Sequence, residues 1–128
     1  MEELKKKFIV EEKLDEKRVI NYTERILPFC KISKDGMVII ENKELKTVQQ
    51  IQLALVARFL ANYLDKNITT EISNKELSNS LNVPENQIAA RMKELRESKF
   101  VIPVKIGLHQ VYPLQIEKFL IELENMRK

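Results

Sequence analysis

The chain has 128 residues, room for one domain with an appendage, and 44% hydrophobic content, which supports a buried core and excludes disorder of the whole. Twenty-two Lys and Arg stand against nineteen Asp and Glu, a net charge of +3 that is too mild to announce a polyanion partner by itself. Cys30 is the single cysteine, which excludes an internal disulfide and an exported disulfide scaffold.

Residues 1–46 open on a charge-dense stretch in which Leu14, Val19, Tyr22 and Ile26 recur at helical spacing. They predict a helix over 15–27 that Pro28 ends. Phe29 to Asn42 then reads as a β-hairpin around Lys34-Asp35-Gly36. A two-residue loop would set Glu41 on the same face as Cys30. A three-residue loop with Gly36 left-handed pairs Ile32 with Val38 and Cys30 with Ile40, a clean apolar face, and is the preferred register.

Thr47 with Gln50 forms a capping box for a helix running to about Asp65. Its apolar residues (Val48, Ile51, Leu55, Val56, Phe59, Leu60, Tyr63, Leu64 and three alanines) wrap most of its circumference, so it is expected to be buried on several sides. Asn67 to Ile72 leads into a short strand. Ser73 and Glu76 cap a short helix carrying Leu77 and Leu81, Asn82-Val83 turns, and Pro84 takes the first position of a helix ending near Ser98. Phe100 to Val104 and Val111-Tyr112 are strand-like around Gly107. Pro113 opens a last helix with Ile116, Phe119, Leu120, Leu123 and Met126 inward.

The apolar positions Leu77, Leu81, Val83, Ile88, Met92 and Leu95, with small Ser80 at the helix crossing and Asn82 in the turn, resemble the helix-turn-helix pattern. Phe100, Val101, Gly107, Val111 and Tyr112 complete a wing. The chain is therefore similar to the winged helix-turn-helix superfamily, and in particular to small archaeal and bacterial transcriptional regulators; residues 1–46 match no family. The expected class is mainly α with small β (α+β). Residues 1–46 form a helix and β-hairpin extension, 47–113 the winged helix-turn-helix domain, and 114–128 a C-terminal helix for packing or dimerisation.

The resemblance implies that the helix from Pro84 to Ser98 enters the major groove while the wing meets backbone or minor groove. At 100° per residue, Asn86, Gln87, Ala90, Lys93, Glu94 and Glu97 face outward, with Arg91 and Arg96 on the flanks. Asn86 and Gln87 carry amides suited to adenine, and Arg91 suits guanine or phosphate. Lys93, Lys105, His109 and Gln110 complete the nucleic-acid-binding set, the last three as wing contacts to the backbone. Glu94 and Glu97 oppose phosphate on the same face. Neither half of the chain is strongly basic: residues 1–46 hold 11 cations against 10 acids, and residues 47–128 hold 11 against 9.

Duplex DNA is thus the first expected partner. The acidic residues of the recognition helix and the apolar Ile106 and Leu108 at the wing tip favour a protein partner as the alternative, and RNA is a third. The spacing of Ile116, Phe119, Leu120 and Leu123 suits a homodimer seam as well as a core. No catalytic grouping, Gly-rich phosphate loop or metal-ligand spacing is present in the sequence, so neither an enzyme nor a cofactor or metal is expected. The hairpin and central helix are placed to enclose a pocket, without identifying an effector. Lys5-Lys6-Lys7 with Phe8-Ile9-Val10 starts like a signal peptide, but Glu11-Glu12 ends it. The apolar stretch from Ile51 to Leu64, interrupted by Gln52, Arg58 and Asn62, is too short to span a bilayer. The expectation is a cytoplasmic protein without a membrane partner.

Overall fold

The computed structural model describes residues 1–4, 15–41, 44–105 and 107–126. Leu14, Lys5-Lys6-Lys7, Glu11-Glu12 and Ile106 lie outside the described residues. The first helix, α1, spans Glu16–Ile26. Asp15 caps it from an extended backbone, its carboxylate accepting from the Arg18 N–H at 2.8 Å. Val19, Tyr22 and Ile26, spaced three and four apart, turn inward and are buried.

Strands β1 (Cys30–Ile32) and β2 (Val38–Ile40) pair antiparallel with Cys30 opposite Ile40 and Ile32 opposite Val38, the register expected from the apolar pattern. The Ser33 N–H donates to the Met37 carbonyl at 2.9 Å, leaving a three-residue loop. Gly36 sits in that loop at φ +87°, where an L side chain would be strained, and its backbone lies in contact range of the Arg58 guanidinium. Cys30 and Val38 are buried, while Ile39 on the opposite face is exposed.

Helix α2 (Thr47–Leu64) is the central column, in contact with α1, the hairpin and the helices and sheet downstream. Full burial of Ile51, Leu53, Leu55 and Leu60 is worth about 2 kcal/mol apiece relative to exposure. Its apolar surface outruns its neighbours at the C-terminal end, where Tyr63 and Leu64 are exposed. The cap lies one residue earlier than expected: the Lys46 N–H donates to Gln49 Oε1 at 2.9 Å. Lysine has no side-chain acceptor to reciprocate, and Gln50 Nε2 instead donates to the Leu45 carbonyl at 2.8 Å.

Strand β3 (Ile72–Ser73) leads into α3 (Asn74–Leu81), and α4 (Glu85–Glu97) follows. Ser73 Oγ accepts from the Glu76 N–H at 3.1 Å, and the Glu76 carboxylate accepts from the Ser73 N–H at 3.4 Å, closing the expected box. Pro84, expected as the first helical residue, is instead the cap position at φ −56°, ψ 143°. It has no N–H to satisfy, and its carbonyl accepts the first bond of the helix from the Ile88 N–H at 3.1 Å. Strands β4 (Val101–Lys105) and β5 (Leu108–Val111) form a hairpin, and β5 lies between β3 and β4 in an antiparallel three-stranded sheet.

A 3₁₀ turn, Pro113–Gln115, opens α5 (Ile116–Met126). Ile116, Phe119, Leu120 and Leu123 are 0–3% exposed within the single chain. They are spent on its own core, with Phe119 set edge-on to Phe100 at 5.7 Å, and in this conformation a second copy cannot reach them as a seam. Met126 departs from the expected inward stripe and is 49% exposed, because the helix runs past the edge of the core. Arg25 fastens α1 to α5, donating to Glu117 at 2.5 Å and to Glu124 at 2.6 Å. One contiguous set of buried side chains joins all these elements, from Val19 to Leu123, so the extension and the last helix share a core with the middle of the chain.

Candidate nucleic-acid interface

Helices α3 and α4 meet at a tight turn whose key residue is Asn82, at φ 57° and ψ 47°. Asparagine tolerates this left-handed conformation better than most side chains. The Asn82 N–H donates to the Ser78 carbonyl. The Val83 N–H donates to the same carbonyl at 3.2 Å, and Ser78 Oγ donates to the Val83 carbonyl at 2.6 Å. The serine that ties the two helices at their turn is therefore Ser78. Ser80, expected at the crossing, instead lines a groove against Ile39 and Ile40 of β2.

Ile88, Met92 and Leu95 are buried at 0–4% exposure and pin α4 to α2 and α3. The opposite face is open. Asn86, Gln87, Ala90, Lys93, Glu94 and Glu97 are all exposed. Asn86 Oδ1 accepts from the Gln87 N–H at 3.0 Å, which leaves the Asn86 amide donors uncommitted among the described residues. Arg91 is half-buried on the flank, and its guanidinium reaches Glu94 at 3.2 Å. Both partners are largely solvated, so this pair is worth a few tenths of a kcal/mol, on the order of other exposed helix pairs, and yields readily to a stronger anion.

The hairpin places its residues less favourably for an anion. Lys105 is exposed at the end of β4, beside a break in the strand register and next to Gly107 at φ +80°. His109, expected to reach out from the wing, is 5% exposed. It shares the inward face of β5 with Val111, two residues on, and β-strand side chains alternate. Neither ring nitrogen has a hydrogen-bond partner among the described residues. Burial, aided by the Arg96 charge, holds its pKa below the ordinary 6.5, so the ring is neutral at physiological pH. Gln110 is half-buried, and its Oε1 accepts from Thr70 Oγ1 at 2.9 Å, which fixes the amide while engaging the oxygen rather than the N–H donors.

Of the expected set, then, Asn86, Gln87, Arg91 and Lys93 share one face of α4, Lys105 and half-buried Gln110 stand apart on the hairpin, and His109 is withdrawn. Two exposed cations near the end of α4 join the candidate surface, Arg96 and Lys99. Arg96 was legible as a flank position. Lys99 was not, because it lies past the helix, at φ 63°, where its N–H donates to the Arg96 carbonyl at 3.1 Å. A cleft of about 260 Å³ lies between α1, β1 and the end of α2, lined mainly by Ile26, Leu27, Ile32, Leu60, Leu64 and Ile68.

No protein-family profile, curated protein or solved structure matches the chain. The described residues contain no cluster of His, Cys, Asp or Glu able to hold a metal ion. None of their helices is long and apolar enough to cross a membrane.

Proposed function

We propose that this chain is a winged helix-turn-helix protein that binds duplex DNA through α4 and acts as a transcriptional regulator. The order α2, β3, α3, turn, α4, β4–β5 supports the winged-helix reading. The observation that carries the binding reading is the open face of α4, which packs on α2, α3 and β4 and keeps Asn86, Gln87, Ala90 and Lys93 in solvent. In this reading Asn86 and Gln87 meet base edges, Ala90 leaves room for a thymine methyl, and Arg91 exchanges Glu94 for guanine or phosphate. Lys93, Arg96, Lys99 and Lys105 supply phosphate contacts.

Five cations set a ceiling on the electrostatics. If every one neutralised a phosphate, the slope of log affinity against log salt would be about −4.5 per chain. Fluorescence anisotropy on a random duplex, titrated across salt, is the test. Binding with a negative slope no steeper than that is expected, and Arg91→Ala or Lys93→Ala should flatten it by about one. No binding at about 10–50 μM in low salt, or a salt-independent signal, overturns the reading.

A protein-docking winged helix is the second reading. Its supporting observation is that Glu94 and Glu97 share the face of α4 with the cations, while Val104 on β4 is 41% exposed. An unchanged affinity for duplex in Arg91→Ala and Lys93→Ala would favour it, and competition with structured RNA separates an RNA ligand from DNA.

A further inference from the structure

We propose that the β4–β5 hairpin is an acid-triggered element: protonation of His109 forces it off the helices beneath and weakens nucleic-acid binding as the pH falls. The binding half rests on the function proposed above; the opening of the hairpin does not.

His109 occupies the middle strand of the three-stranded sheet, opposite Ile72 on β3 and Pro103 on β4. The residue is 5% exposed, and its ring nitrogens, themselves buried, have no partner among the described residues. An imidazolium carries two N–H donors, and both would be left without acceptors. A buried imidazolium without a partner costs free energy that a displaced hairpin relieves, so protonation of the ring favours displacement. The surrounding groups do nothing to relieve it. Arg96 of α4 is the charge that acts on the ring, and it repels the protonated form. The only charged side chain of α2 is Arg58, already committed to Glu76 and backbone carbonyls, and β3 carries no charge. Lys105 on β4 is exposed, as are Lys75 and Glu76 of α3 and Glu94 and Glu97 of α4. No carboxylate of the described residues bonds to the ring.

The sign follows from linkage. A histidine held below 6.5 in the fold binds fewer protons folded than unfolded. Closure of the hairpin is therefore fully supported above about pH 6.5 and is lost as the pH falls toward the folded value. A solvent-facing histidine would do the opposite to binding, adding a positive charge and strengthening phosphate contacts in acid. The two behaviours have opposite slopes.

His109 is the only histidine, so its ring C–H signals in a proton–carbon NMR spectrum are unambiguous. On acidification of the full chain the ring should titrate with a midpoint below 6.5. The amide signals of Ile72, Leu108 and Gln110 should shift or broaden over the same range while those of Val19 and Tyr22 on α1 stay. Affinity for a short random duplex should fall in step, by at most about tenfold per pH unit for one proton. His109→Leu and His109→Gln should abolish the loss, and the ring titration of the unaltered protein decides the matter even where both variants misfold. A midpoint at or above 6.5, or hairpin amides that stay put while the ring titrates, overturns the proposal. Affinity that rises while the hairpin opens overturns its binding half. A hairpin that opens in a protein that binds no duplex at any pH supports the acid trigger and overturns the function proposed above.

Discussion

Arg58 is the side chain whose removal should cost the fold most for the fewest atoms. It lies in α2 among eight buried residues and is 4% exposed. Its guanidinium donates to the Thr69 carbonyl at 2.8 Å, the Gly36 carbonyl at 3.1 Å, the Glu71 carbonyl at 3.1 Å, Thr69 Oγ1 at 2.7 Å and Glu76 Oε2 at 3.0 Å. One planar fork thus holds the hairpin loop, the segment before β3 and the first turn of α3 against the central helix. Arg58→Met keeps an unbranched stem and removes every donor. Hydrogen bonds from a charged group contribute about 1.5–3 kcal/mol each, but the five do not add. Thr69 is exposed and Glu71 partly so, and water replaces the lost donor there. Gly36 is buried and its carbonyl is left without one. The substitution also removes the desolvation cost of the cation. The net loss should be about 3 kcal/mol, or a fall in melting temperature of roughly 10 °C. Glu76 is 48% exposed at its side chain, so Glu76→Gln should cost only about 0.5 kcal/mol. Urea unfolding of both variants and of the double mutant measures these terms. An Arg58→Met loss under about 1 kcal/mol, or a Glu76→Gln loss equal to it, would refute the assignment of the stabilisation to the carbonyls.

Two further perturbations test local features. Burial, reinforced by the negative charge of Glu41, pushes the Cys30 thiol up to about 12, so a disulfide reagent near pH 8 should leave the native protein unmodified and react in denaturant; fast native reaction would contradict the hairpin packing. Lys99 pays left-handed strain of about 1–2 kcal/mol at φ 63°, and glycine gives back about 0.5–1 of that in backbone entropy. Lys99→Gly should therefore stabilise by about 0.5 kcal/mol in thermal unfolding, and a destabilised variant would mean that the lysine stem contributes packing that outweighs the strain.

Legibility in the sequence followed periodicity. The first hairpin could be registered in advance because only one loop length keeps Glu41 off the face that holds Cys30. The inward stripes of α1 and α4 were legible for the same reason: Val19, Tyr22 and Ile26, and Ile88, Met92 and Leu95, recur at helical spacing with little apolar competition. Where competition existed, the pattern lost resolution. Around α2 apolar residues lie on nearly every side, so spacing could not say that Tyr63 and Leu64 would emerge into solvent. Caps slipped by one residue at Lys46 and Pro84, since Thr47 and the proline ring each satisfy more than one position at a helix start. Arg58 read as an interruption of an apolar run. Its five acceptors come from three segments distant in sequence, and no local pattern encodes their convergence.

The hairpin at the candidate site failed for a more instructive reason. His109 was assigned by polarity, but parity is the stronger constraint in a strand. Val111 is buried, so His109 two residues back must face the same way, and adjacent Gln110 must face the other. Applied along the β4–β5 hairpin, alternation leaves about half of its residues able to meet a phosphate, Gln110 among them with its Oε1 held by Thr70. The cations that remain for an anion therefore belong mostly to α4 and the residues just after it: Arg91, Lys93, Arg96 and Lys99. That concentration has a consequence for measurement. Neutralising Lys105 alone should flatten the salt dependence by no more than about one unit, whereas neutralising the α4 cations together should remove most of it. The same burial that takes His109 out of the contact set makes it the one group able to report, through its own titration, whether the hairpin is seated.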